Sequence, residues 1–191
     1  MPHTEVRLAQ LPTPLDEAPR LSAELGARIL VKRDDLTGLA IGGNKARKLE
    51  YLVRDAIARG CDTLVTAGGA QSNHARMTAA AAARFGFACH IVLGGDEPAR
   101  YSGNLILDRL LGARIHFTGS HDWNVWNSEV RRVAEGIGPR AYPIPIGGST
   151  PVGARGYIDA ADELLAQMPQ PPDWVVLATS SGGTQAGLLA G

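Results

Sequence analysis

Lys45, Arg47 and Lys48 lie close together after the glycine pair of the segment GGNKARKLEYL (42–52). The segment indicates a helix that begins near Lys45, and each cation at a helix N-terminus is unfavourable by about 0.3–1 kcal/mol. Because like charge disfavours protonation, we expect the pKa of Lys45 to be lowered toward a neutral amine. A neutral lysine amine can condense with an aldehyde. The pattern leaves two alternatives open: a solvated basic turn, and a lysine that binds an anion as a point charge.

The segment SSGGTQAG (180–187) has the composition of a phosphate-binding turn. Its glycines let backbone N–H groups approach an anion, and Ser180, Ser181 and Thr184 add hydroxyl groups. It is not a P-loop, because no Lys-Ser/Thr pair follows, and it lacks the G-x-G-x-x-G spacing of a dinucleotide-binding loop. A plain turn between a strand and a helix is the alternative.

A third candidate is QSNH (71–74), which is polar directly after an apolar segment. Ser72 or Asn73 could simply cap the following helix. The same helix N-terminus could bind a carboxylate through its amides and leave the Ser72 hydroxyl free for proton transfer. His74 alone is a weak signal, because a single histidine is more often packed or solvent-facing than catalytic.

Glycine-rich stretches stand at four points, GGNK (42–45), GGAQSNH (68–74), GGST (147–150) and SSGGTQAG. Each follows a predicted strand or lies beside a helix start, and ligands of open α/β sheets bind where such loops converge. An aldehyde-reactive amine together with a separate phosphate site is what pyridoxal 5'-phosphate requires. These features together favour that cofactor.

The elements that would position these residues alternate between strand and helix. Helical spacing of Leu49, Leu52, Val53, Ala56 and Ile57 predicts a helix after the first strand. We predict strands over 27–35, 62–67, 87–93, 113–119, 141–147 and 173–180, and further helices over 75–85, 104–112, 123–137 and 151–168. This order indicates the α/β class, with a mostly parallel sheet covered by helices on both faces.

The composition is that of an ordinary globular protein, with 45% hydrophobic and 20% charged residues among 191. Lysine plus arginine and aspartate plus glutamate balance at 19 each, so nothing suggests a nucleic-acid partner. We see no signal peptide or membrane span, and Cys61 and Cys89 lack metal-ligand spacing, so we expect a cytoplasmic protein without a metal. The last predicted helix is short and uncovered, so we expect the N-terminal part of a longer protein.

The sequence resembles the D-cysteine desulfhydrase and 1-aminocyclopropane-1-carboxylate (ACC) deaminase family of pyridoxal-phosphate enzymes, within the tryptophan-synthase-β-like group. The segments that carry the resemblance are VKRDDLTGLAIGGNKARKLEYL (31–52), DTLVTAGGAQSNHAR (62–76), IPIGGSTPVGARGY (144–157) and SSGGTQAG. The resemblance implies two α/β domains, a large one containing 1–47 and 156–191 and a small one containing 48–155. The second half of the large domain, with the group that faces the pyridine nitrogen, would then lie beyond residue 191.

The resemblance also implies roles for individual residues. Lys45 matches the lysine that binds the cofactor aldehyde and later moves protons at the substrate α-carbon. Asn73 matches the contact to the cofactor's phenolic oxygen, and Ser72 matches a hydroxyl beside the α-carbon. The amides of Ser72, Asn73 and His74 would receive the substrate carboxylate. The phosphate would lie at Gly182, Gly183 and Thr184, while Gly187 would allow close helix packing, and GGST would border the site or supply helix caps.

The implied activity is a lyase that eliminates a β-substituent from a small amino acid, with D-cysteine favoured and pyruvate, hydrogen sulfide and ammonia as products. ACC deamination and elimination of sulfite from cysteate are alternatives. ACC deaminases typically carry glutamine where this chain has His74, and their phosphate loop differs, which favours the desulfhydrase reaction. Alternatives of other classes are a non-catalytic piece and a module for another phosphorylated ligand. A homodimer is the expected assembly.

Overall fold

A computed structural model describes residues 6–191 of the chain. The strands are β1 (Leu15–Glu17), β2 (Leu30–Lys32), β3 (Thr63–Gly68), β4 (Ala88–Leu93), β5 (Arg114–Phe117) and β6 (Ala141–Ile144). The helices are α1 (Pro19–Leu25), α2 (Lys45–Ala58), α3 (Asn73–Phe85), α4 (Asn104–Leu110), α5 (Trp123–Ile137), α6 (Pro151–Ala166) and α7 (Gly183–Ala190). Short 3-10 turns cover Asp34–Leu36, Leu39–Ile41 and Ile146–Gly148.

A four-stranded parallel sheet in the order β5-β4-β3-β6 forms the centre of the fold. Strand β3 pairs with two neighbours, so that Thr63 lies opposite Ala88 on one side and Ala141 on the other. All six residues of β3 are buried. Strands β1 and β2 form a separate antiparallel pair.

Helices cover both faces of this sheet, as the sequence predicts. Alternate strand residues point to opposite faces. Leu64 and Ile91 belong to the apolar cluster that includes α2 and α3 residues, while Val65 and Val92 pack with Trp126 and other residues of α5. The predicted α/β class with a mostly parallel sheet is therefore confirmed.

Helices α2, α6 and α7 pack side by side, and glycines let them approach closely. A Cβ atom at Gly156 of α6 would lie 2.2 Å from the backbone oxygen of Arg47 in α2. A Cβ atom at Gly187 of α7 would lie 2.4 Å from the Cβ of Tyr157. The predicted packing role of Gly187 is confirmed.

The strand predicted over 173–180 is wrong. This segment is irregular, and the side chains of Trp174 and Val176 are 86% and 94% exposed. A strand needs a neighbour for its backbone hydrogen bonds, and within residues 6–191 none lies alongside this segment. Strand β2 is also shorter than predicted, because the chain enters a 3-10 turn at Asp34. Ile57, which was predicted on the apolar face of α2, is 37% exposed.

The predicted domain boundaries fall inside α2 and α6, and the parallel sheet lies wholly within the stretch assigned to the small domain. The division into two domains stays a prediction. No helix among residues 6–191 is long and apolar enough to cross a membrane. Across the same residues, no group of three or more histidine, cysteine, aspartate or glutamate side chains could hold a metal ion.

Candidate active site

Lys45 is the first residue of α2, directly after a glycine turn. The turn needs glycine at position 42, because its φ is 78° and a Cβ atom there would lie 2.0 Å from the Asp35 backbone oxygen. The half-buried Lys45 amine donates a 2.8 Å hydrogen bond from Nζ to Oδ1 of Asn44. Burial lowers its pKa, so the expected direction is confirmed and the cause is desolvation rather than the adjacent cations.

Asn44 connects this amine to the predicted phosphate turn. Its Nδ2 donates a 3.0 Å hydrogen bond to Oγ1 of Thr184, 140 positions later in the chain. Lys45 and Thr184 are thus joined through the two ends of one side-chain amide. The structure brings the predicted aldehyde-reactive amine and the predicted phosphate turn together.

The turn at 180–184 leads into the N-terminus of α7. Gly182, the N-cap residue, has a left-handed φ of 79° and no side chain with which to cap the helix. The first N–H groups of any helix have no acceptor within it. The Gly183 amide donates weakly to Oγ of Ser149, at 3.3 Å, and Ser149 donates to Ser181 at 2.7 Å. A helix N-terminus whose N-cap residue has no side chain, and which lies beside hydroxyl groups, is a site suited to an anion.

Lys48 is a site residue that the sequence analysis named among the three cations but to which it gave no role. Its side chain is 1% exposed, and Nζ donates to the backbone oxygen of Gly147 at 3.1 Å and to Oγ of Ser149 at 3.4 Å. Burial, with a contribution from the charge of Lys45, lowers its pKa to about 8. Its spacing of three residues from Lys45 places both on one helix face, which was the available signal.

Gly183 lies where no side chain would fit. A Cβ atom at this position would lie 2.7 Å from Nζ of Lys48 and 2.6 Å from Oγ of Ser149. The missing side chain leaves the backbone of the turn within reach of the lysine and the hydroxyl. Thr150 of the GGST segment instead caps α6, accepting a 3.0 Å hydrogen bond from the Gly153 amide. Two roles were expected for GGST, bordering the site and capping a helix. Ser149 borders the site, and Thr150 caps α6.

Ser72 and Asn73 lie at the N-terminus of α3. Ser72 caps the helix, with its hydroxyl oxygen accepting a 3.2 Å hydrogen bond from the Ala75 amide, and its own amide donates to Gly69 at 2.9 Å. The hydroxyl hydrogen remains able to donate. Asn73 is exposed, and its Oδ1 accepts hydrogen bonds from Arg76 and Asn104. Their predicted contacts with cofactor and substrate stay predictions.

The His74 side chain is buried beneath the site. Its Nε2 lies 2.8 Å from Oγ1 of Thr66, and because Thr66 donates to the Ile144 oxygen, the imidazole is the donor in this pair. Nδ1 has no hydrogen-bond partner within the described part of the chain. Burial, then the charges of Lys45 and Lys48, lower the His74 pKa to about 3. Any substrate contact of His74 is therefore through its amide, in the first turn of α3.

Arg47 belongs to the structural interior. Its guanidinium is 1% exposed and forms ion pairs of 2.9 Å with Asp34 and 2.8 Å with Glu163. The three cations at the start of α2 therefore have separate surroundings, and only the amines of Lys45 and Lys48 face the turn region.

The sequence profile described as "Pyridoxal-phosphate dependent enzyme" matches residues 6–191. The chain belongs to this family. A Yersinia enterocolitica D-cysteine desulfhydrase is 45% identical over 97% of the chain, and a Pyrococcus abyssi protein provisionally named ACC deaminase is 46% identical over 94%. The crystal structure of an ACC deaminase homologue superposes with a TM-score of 0.90 at 41% identity, covering 96% of the chain. The chain spans 61%, 56% and 57% of the lengths of these three proteins, respectively.

The residues of the site fit the cofactor of the family, pyridoxal 5'-phosphate. Lys45 offers an amine of lowered pKa for the aldehyde. A phosphate would find donors in the first amides of α7, the Thr184 hydroxyl and the Lys48 ammonium. The recognised family and its fold are confirmed by the profile and the superposition.

Proposed function

We propose that the chain binds pyridoxal 5'-phosphate through Lys45 and that the protein it represents is a lyase acting on a small amino acid. The observation that carries this proposal is the pair of hydrogen bonds at Asn44, which places Lys45 beside Thr184. A solvated basic turn is disfavoured, because Lys45 is half-buried and Lys48 is fully buried.

Lys45 is a better aldehyde ligand than Lys48 despite the lowered pKa of both amines. Lys48 is 1% exposed and its amine is held by the Gly147 oxygen, so an aldehyde has little access to it. Its remaining charge is better placed to bind a phosphate that rests on Gly182, Gly183 and Thr184. Lys45 would therefore bind the aldehyde through its amine, and Lys48 would bind the phosphate through its charge.

The remaining groups suit an amino-acid substrate. The first-turn amides of α3 at Asn73 and His74 can bind its carboxylate. The cofactor, when bound, withdraws electrons from the substrate α-carbon and so acidifies the α-hydrogen. Lys45, with a pKa lowered by burial, can accept that proton, and the Ser72 hydroxyl can donate or relay one. Asn73 can donate from Nδ2 to the cofactor's phenolic oxygen, since its Oδ1 is already engaged.

We favour D-cysteine as substrate, with water consumed and pyruvate, hydrogen sulfide and ammonia released. The relative named D-cysteine desulfhydrase supports this choice, while the relatives named for ACC deaminase keep ACC as the alternative. Cysteate is a third candidate. The buried His74 imidazole cannot distinguish these substrates by direct contact, so histidine at position 74 does not by itself favour D-cysteine.

The covalent attachment is tested by adding pyridoxal phosphate, reducing with borohydride and mapping the modified lysine by mass spectrometry. The chain has lysines at 32, 45 and 48, and we expect the adduct at Lys45. Lys45→Ala should abolish the visible absorbance of the bound cofactor. The control Lys48→Met should retain the adduct at Lys45 while weakening cofactor binding about tenfold, since it removes one charged phosphate contact. An adduct at Lys48, or an unchanged Lys45→Ala spectrum, would contradict the proposal.

The reaction is tested by measuring pyruvate and hydrogen sulfide with D-cysteine, L-cysteine, ACC and cysteate in parallel. Hydrogen sulfide from D-cysteine is the expected result, and ammonia with 2-oxobutanoate from ACC would instead identify the deaminase. Cofactor binding without turnover of any of the four compounds would indicate the non-catalytic alternative. Binding of a different phosphorylated compound with no adduct at Lys45 would indicate a binding module. A homodimer in the cytoplasm stays a prediction, and gel filtration with light scattering tests the assembly.

A further inference from the structure

Arg76 connects three elements that surround the site, and the roles described so far do not use it. It lies in α3 with 5% of its surface exposed. Nη2 donates a 3.0 Å hydrogen bond to the backbone oxygen of Gly42, in the turn before Lys45. Nη1 donates to Oδ1 of Asn73 at 2.9 Å and to Oδ1 of Asn104, the first residue of α4, at 3.0 Å.

Asn104 completes the arrangement around Asn73. Its Nδ2 donates to Oδ1 of Asn73 at 3.2 Å and to the backbone oxygen of Gln71 at 2.8 Å, and its backbone amide donates to Oε1 of Gln71 at 2.9 Å. Oδ1 of Asn73 thus accepts hydrogen bonds from both Arg76 and Asn104. The amide orientation of Asn73 is fixed with Nδ2 as the available group.

A buried carboxyl group, that of Asp108, interacts electrostatically with Arg76 without forming a hydrogen bond to it. Asp108, one turn along α4 from Asn104, is 1% exposed, and neither of its oxygens has a hydrogen-bond partner among residues 6–191. Burial raises the pKa of Asp108 to about 7, and the positive charge of Arg76 opposes that rise. Burial lowers the pKa of Arg76, and the attraction to Asp108 offsets part of that effect for a guanidinium whose fork reaches Gly42 and Asn73 together.

We propose that Arg76 and Asn104 are positioning residues, which hold Asn73 and the turn before Lys45 so that the Asn73 Nδ2 group is presented to the cofactor's ring oxygen. The inference rests on the proposed function, because Asn73 has no ring oxygen to meet unless the cofactor is bound at Lys45. Arg76 forms two hydrogen bonds in different directions, from Nη2 to Gly42 and from Nη1 to Asn73. A single point charge at position 76 would not reproduce them.

The test compares Arg76→Lys and Asn104→Ala with the wild-type 191-residue chain, each titrated with pyridoxal phosphate. Arg84→Lys is the matched control, because it makes the same change at an exposed position of the same helix. The readouts are the apparent Kd, the visible absorbance maximum of the bound cofactor and the borohydride adduct at Lys45. Circular dichroism and thermal unfolding report whether each variant is folded.

We expect Arg76→Lys to raise the apparent Kd about tenfold and Asn104→Ala to raise it about two- to tenfold. Both should move the absorbance maximum, since a hydrogen bond to the ring oxygen acts on the chromophore itself. Arg84→Lys should match the wild type. A folded Arg76→Lys or Asn104→Ala with wild-type Kd and absorbance maximum would overturn the proposal. If Arg76→Lys does not fold, Asn104→Ala alone decides the question. Absence of an adduct in the wild type would instead refute the proposed function itself.

Discussion

Burial lowers the pKa of the two lysines at the start of α2. Lys45 loses part of its hydration while keeping access to the site, and Lys48 is removed from water almost completely. Arg47 between them keeps its charge, because Asp34 and Glu163 pair with it. Of these properties, the sequence predicted the lowered pKa of Lys45 but not the burial of Lys48. The burial of Lys48 depends on Gly147 and Ser149, which come about 100 residues later in the chain.

The buried imidazole of His74 should make the protein less stable in mild acid. Its pKa in the folded state, about 3, lies below the ordinary value of 6.5, so the unfolded chain takes up a proton first as the pH falls. His74 therefore contributes a loss of unfolding free energy below pH 6.5, by up to about 1.4 kcal/mol per pH unit. Urea unfolding at pH 7, 6 and 5 should show a shallower pH dependence for His74→Gln. The exposed His121→Gln serves as control and should keep the wild-type slope, and equal slopes for all three proteins would contradict the burial of His74.

At the scale of elements, the alternation of apolar and helical segments was enough to predict the parallel sheet and the helices around it. Helix α5 covers the predicted residues 123–137 in full. The segment 173–180 shows where this reasoning stops, because its apolar residues fit a strand but a strand also requires a paired neighbour. The composition of a segment shows that it could form a strand, but a strand forms only where a neighbouring strand accepts its hydrogen bonds.

The contact between α6 and α7 makes Gly187 sensitive to one added methyl group. Gly187→Ala would place its Cβ 2.4 Å from the Cβ of Tyr157 and 2.5 Å from the Ala154 oxygen, so we expect a loss of about 1–3 kcal/mol of stability. Gly136→Ala in α5 is the matched control, because nothing lies within 4 Å of its new Cβ. Removing a helical glycine there should stabilise the protein by about 0.5–1 kcal/mol. Thermal unfolding measures both variants, and equal or reversed shifts would argue against the close helix contact.

At the scale of the whole molecule, a buried polar cluster joins the N-terminal segment to α2 and α6. Glu163 of α6 accepts from Arg47 and Lys32 and from the Thr13 amide. Burial opposes ionisation of Glu163, but the hydrogen bonds from Arg47 and Lys32 outweigh it and lower the pKa to about 2. The cluster therefore ties together parts of the chain about 150 residues apart.

Acid should weaken this cluster over a defined range. Because the folded pKa of Glu163 lies below the ordinary 4.5, its contribution is complete above pH 4.5 and is lost as the pH falls toward about 2. Glu163→Gln should cost about 3 kcal/mol of unfolding free energy at pH 7, since it leaves buried Arg47 with one partner fewer. Urea titrations at pH 7 and pH 3 should show this difference narrowing in acid. An exposed carboxylate variant, Glu135→Gln, should show neither effect, and a difference that persists unchanged at pH 3 would contradict the ion-pair account.

The bond between Asn44 and Thr184 has a consequence for the order of events during biosynthesis. At typical translation speeds, about 5–20 residues per second, the ribosome adds residue 184 roughly 7–28 s after residue 44. During that interval Asn44 has no Thr184 hydroxyl to bind, and the Lys45 amine lacks the folded surroundings that lower its pKa. The cofactor attachment proposed at Lys45 would therefore follow closure of this 140-residue loop, once both the buried amine and the anion-binding turn have formed.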